Sequence, residues 1–162
     1  MASSLLVGVG SGRIERIVVA RIKAGVDLLD AVQEIVSREG IEKGVFISAV
    51  GGLRRAVFRG LKRLPKEFPV TDEDRLYLEI EQPLELLSVS GHISPREDGT
   101  PNIHAHFSAA TVEGETIVTL GGHLTKGTIT ALKVAIAIAV VDDLPMRSVF
   151  GSHSQSEELV IG

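Results

Sequence analysis

The sequence predicts an α+β fold, a mostly antiparallel β-sheet with one main helix packed on it. Three observations carry this. Runs rich in Ile and Val with partial alternation recur along nearly the whole chain, as half-buried strands require. A single stretch switches to a helical period. Gly, Pro and Asp clusters punctuate the runs closely enough for hairpins. With no internal repeat and no low-complexity linker, the 162 residues are expected to form one domain, with a core at about 13–143 and less regular ends.

Taken in order, "RIERIVVARIK" reads as the first strand. "DLLDAVQEIVSREG" is the helix. Leu28, Val32, Ile35 and Val36 share one face, Asp27 and Asp30 sit at its start, and Gly40 is placed to stop it. "KGVFISAVGGLRRAVFRGL" is one long strand or two, interrupted at Gly51-Gly52 by a bulge or a close backbone approach. "RLYLEIEQP" and "LELLSVSGHIS" are strands separated at Pro83. "NIHAHFSAA", "ETIVTLGG" and the long "GTITALKVAIAIAVVDD" follow. The tail from Arg147 is expected to hold a short strand and an irregular segment, and "GVGSG" near the start a flexible terminus rather than a phosphate loop.

Composition narrows function. There is no cysteine, which excludes disulfides and thiolate metal sites and is compatible with a cytoplasmic location. The start lacks the basic and apolar regions of a signal peptide, and the longest apolar run, "VAIAIAVV", is far too short for a membrane helix. The net charge of -4 gives no global attraction to nucleic acid. A local basic stretch, "LRRAVFRGLKRLPK", nevertheless offers Arg54, Arg55, Arg59, Lys62 and Arg63 as phosphate or nucleic-acid contacts. Strand alternation sends some of these to opposite faces, and a solvated hairpin balanced by the acidic "TDEDRLYLEIE" is the favoured reading.

Three of the five histidines fall in "PNIHAHFSAATVEGETIVTLGGHL". His104 and His106 are two apart and share a strand face. A two-residue turn at Glu113-Gly114 would place His123 directly opposite His104, with His106 on the diagonal. Three imidazoles so arranged can converge on one divalent cation, and neutral nitrogen donors suit zinc, nickel, copper or iron. If the loop before this strand closes a hairpin centred on Asp98, His92 comes opposite His104 from the other side, as a neighbour that could touch a ligand ring rather than a ligand. His153, in the polar "GSHSQS", is expected to be solvated.

"LELLSVSGHIS", "PNIHAHFSAA" and "GGHL", preceded by "VARIKAGVDLLDAVQEIVSREGIEKGVFISAVGGL", resemble the plant-and-prokaryote-conserved (PPC) domain, from about Arg13 to Asp143. The resemblance implies an α+β fold, homotrimers among single-domain prokaryotic members, and a metal, generally zinc, on histidines at the positions of His104, His106 and His123. Family members commonly carry other residues at the position of His92. Plant members act in DNA-associated regulation through AT-hooks, and this chain has no Arg-Gly-Arg-Pro core of that kind. Two function classes stay open. One is a metal-containing, non-enzymatic binding or regulatory module taking a small molecule or, with weaker support, DNA. The other is a metal-dependent hydrolase or lyase that uses an open coordination position. The missing ingredient for the second is a general base, since Glu113 and Glu115 belong to the hairpin turn.

Overall fold

The structure is a computed structural model and describes residues 5–162. Ten strands and one α-helix follow in the order β1 (Arg13–Ile22), α1 (Leu28–Arg38), β2 (Gly44–Leu61), β3 (Arg75–Ile80), β4 (Leu84–Pro95), β5 (Pro101–Glu113), β6 (Thr116–Leu124), β7 (Ile129–Thr130), β8 (Val134–Asp142), β9 (Met146–Gly151) and β10 (Ser156–Ile161). Eight strands form one antiparallel sheet in the order β1-β8-β2-β4-β5-β6, with β3 and β7 also on β2. β6 returns to pair with β2 at Phe58–Leu124 and Arg59–His123. Strands β2, β4, β5 and β6 therefore close a circuit, inside which Phe58 and Phe107 stack with centroids 4.7 Å apart.

The helix begins where the sequence places it. The Asp27 carboxylate caps the chain by accepting from Leu29 N (2.9 Å) and Asp30 N (3.2 Å), which satisfies two otherwise orphaned donors. Its other oxygen accepts from Gly127 N at 2.6 Å and ties the helix start to the loop before β7. Leu28, Val32 and Val36 are fully buried, and they pack on Ile22, Phe46, Ile136, Ile138 and Val140 of the sheet. Gly40 takes the positive φ of 59° that a helix stop needs.

β2 runs unbroken for 18 residues. Within it Gly51 has φ 144° and lies so close to Val134 that a Cβ would come within 2.5 Å of the Val134 Cα. The expected long strand 127–143 splits into β7 and β8, with Lys133 at φ 51° between them and the loop hydrogen-bonded to Gly52 at both N and O. The two ends of the chain also differ from expectation. The tail forms a full hairpin, β9–β10, pinned to the main sheet by a buried Ser94–Ser148 hydroxyl pair at 2.8 Å. The glycines of 8–12 lie against Ile161, Leu144 and Asp142, where a side chain would collide, and Arg13 pairs with Asp143.

Candidate metal centre

The site is built on β5 and β6, on the side of these strands turned away from the core residues Ala105, Phe107 and Leu124. In β5, Ala105, Phe107 and Ala109 alternate into the core, so His104 and His106 point out, as two residues on one strand face must. The hairpin to β6 turns at Gly114-Glu115, with Glu113 opposite Thr116. Gly114, with φ 60°, occupies the first turn position, as a type II′ hairpin asks, rather than the second. The pairing is thus two residues from the expected one. His106, not His104, lies directly opposite His123, and His104 takes the diagonal. A slip of two keeps every side chain on its face, so the three rings still converge.

His106 Nε2 lies 3.3 Å from His104 Nε2 and 3.4 Å from His123 Nδ1. All three donor nitrogens fall within 4.8 Å of one another. Three nitrogens at about 2.0–2.1 Å from a tetrahedral cation stand about 3.3–3.4 Å apart, so the donor spacing fits zinc closely at two edges. His92 faces His104 across β4–β5, as the sequence suggests, and stacks on it with centroids 5.4 Å apart and planes 14° from parallel. It contributes no nitrogen to the trio and acts as a wall that holds the His104 ring.

Local electrostatics favour neutral rings. Partial burial, then the Arg59 guanidinium across the β2–β6 seam, then the neighbouring imidazoles push His123 down to about 4. His106 is lowered by burial, His104 and Arg59, and His92 by burial and His104. Neutral imidazole is the form a metal requires.

The five basic residues stand in different surroundings. Arg55 pairs with Glu79 at 2.6 Å and Glu81 at 3.6 Å, and Arg63 with Asp74 at 2.8 Å and Glu73 at 3.7 Å. Arg54 and Lys62 are exposed. Arg59 alone joins the histidines. Sequence reasoning missed what else reaches them. The loop Phe68–Val70 and the β9–β10 turn Ser154–Ser156 wall a cleft beside His106 and His123. His153, expected to be solvated, is exposed and lies with its ring 5.0 Å from that of Phe68. The polar "SHSQS" was the only hint of that turn.

With this geometry in view, residues 9–142 match the family model of the Plants and Prokaryotes Conserved domain. The chain belongs to that family. Its fold is shared with the metal-containing protein of Archaeoglobus fulgidus (21% identity, 94% of this chain and 98% of that one, TM-score 0.71). It is shared also with a PPC protein of Pyrococcus horikoshii (21%, 98% and 99%, TM-score 0.66) and a candidate DNA-binding protein of Bacteroides thetaiotaomicron (14%, 94% and 97%, TM-score 0.70). Among curated sequences it is similar to the bifunctional protein GlmU of a Synechococcus strain, at 30% identity over 132 residues. The match covers 82% of this chain but 18% of that relative.

Proposed function

We propose that this protein is a homotrimeric, non-enzymatic binding module of one domain, in which His104, His106 and His123 hold one divalent metal, zinc by the character of the donors. The observation that carries the reading is the donor spacing of 3.3 and 3.4 Å about His106. Nitrogen atoms that close are stabilised by a shared proton or by a cation, and a trio converging from two strands suits the cation. The metal would supply an open coordination position, while the chain supplies neutral donors and a stacked His92 that restrains His104. The similarity to a metal-containing protein of the same fold supports the reading.

A binding role is favoured over catalysis because no carboxylate lines the clefts beside the histidines, so a metal-bound water would lack a side-chain base there. Duplex DNA is a weaker partner for this chain. Arg55 and Arg63 are already neutralised by ion pairs, and the net charge is -4.

The test is elemental analysis of chelator-stripped, zinc-reloaded protein. Wild type is expected to retain one zinc per chain, and His106→Ala, which removes the nitrogen shared by both short spacings, to lose most of it. His92→Ala should lose little and His153→Ala nothing. Equal retention by wild type and His106→Ala would refute the site.

A further inference from the structure

Arg59 is the cation that the fold leaves unpaired beside the histidines. It sits on β2 directly opposite His123, and directly opposed Cβ atoms are about 5 Å apart. It is half-buried, yet no carboxylate or carbonyl among the described residues accepts from its guanidinium, whereas Arg55, Arg63, Arg75 and Arg96 all have acidic partners. A partly desolvated guanidinium without a partner is costly, and the group's planar fork is made for carboxylate or phosphate oxygens.

Two clefts meet at Arg59 and His123. One, of about 400 Å³, is bounded by α1 and contains Arg96. The other, of about 290 Å³, adds His106 and Arg75 and is also lined by Phe68, Val70, Ser154 and Ser156. Neither is lined by an Asp or Glu, and of the arginines that line them Arg59 is the one without an acidic partner among the described residues.

We propose that the ligand of this site is a small oxyanion, a carboxylate or a phosphate, held jointly by the open position of the metal and by Arg59, with its body against Phe68 and Val70. This rests on the metal reading above and adds the class of ligand. Arg59 selects for anions because a neutral ligand would leave the guanidinium unpaired, and Ser156 adds a hydroxyl to the same cleft.

The experiment is calorimetric titration of the zinc-loaded full chain with inorganic phosphate and, separately, with butyrate, alongside zinc analysis of the same samples. Wild type should bind at least one of the two, a preference for phosphate or for butyrate identifying the headgroup. Arg59→Gln should keep its zinc and bind the same anion at least tenfold more weakly, as loss of a charge-assisted contact implies. Arg54→Gln, exposed and outside both clefts, should bind as wild type does. Zinc-loaded wild type that binds neither anion, or Arg59→Gln that binds as tightly as wild type, would overturn the oxyanion proposal and leave the metal site standing. Wild type that holds no zinc would overturn both.

Discussion

At His123 two influences point the same way. Burial disfavours the imidazolium, and Arg59 repels it, so the ring stays neutral down to about 4 rather than to the ordinary 6.5. The sign of the linkage follows. Between those two values the unfolded chain carries a proton that the folded chain refuses, so the stability of metal-free protein rises with pH across the interval. The contribution is fully present above 6.5 and is lost as pH falls toward about 4. Thermal melts of the stripped protein from pH 7 to 4.5 should show a melting temperature that drops more steeply for wild type than for His123→Gln. Parallel curves would contradict it. The same depression means that protons displace zinc at more acid pH than ordinary imidazoles would allow. The period of two put His104 and His106 together on paper, and a short hairpin brought His123 in. Arg59 could not be found that way, because its place beside His123 depends on the return of β6 to β2, a pairing between segments distant in the chain.

Strands place these residues only because certain backbones touch. Gly91 on β4 has φ 138°, and a Cβ there would collide with the His104 carbonyl oxygen and come within 2.9 Å of the Ala105 Cα. Gly122, next to His123, brings β6 so near β2 that a Cβ would stand 2.9 Å from the Arg59 carbonyl oxygen. The glycines of "GGHL" thus admit another strand of the same chain. Gly91→Ala should cost about 1–3 kcal/mol through backbone strain. It should also displace His104, lowering both the urea midpoint and the zinc retained. A variant with unchanged midpoint and zinc would show that β4 and β5 can separate without cost. Most elements were legible, since alternation marks β1, β4, β5 and β6, and Asp27 and Gly40 bound the helix. The β7–β8 break and the β9–β10 hairpin were not. The first accompanies the close approach of β2 to Val134 at Gly51, and the second depends on Ser148 of β9 reaching Ser94 and Asn102 of the main sheet.

One helix covers one face of an eight-stranded sheet, and the consequence is visible on the other. Ile17 (57% exposed), Val19 (71%), Val45 (41%) and Val50 (53%) stand on β1 and β2 with Ala135 and Ala137 of β8 between them. Contiguous apolar side chains on a sheet face mark a surface that another chain covers. The same face carries the histidines, since Val45 pairs with His92 across β2–β4. A second copy of this chain is the expected cover, and three copies are what the PPC resemblance implies. Light scattering at micromolar concentration should give about three times the 17.3 kDa chain mass, and Val19→Glu, which places a charge on the patch without touching the core, should shift the mass downward. A stable wild-type monomer would defeat the assembly. A Val19→Glu trimer as stable as wild type to dilution would place the interface elsewhere on the molecule.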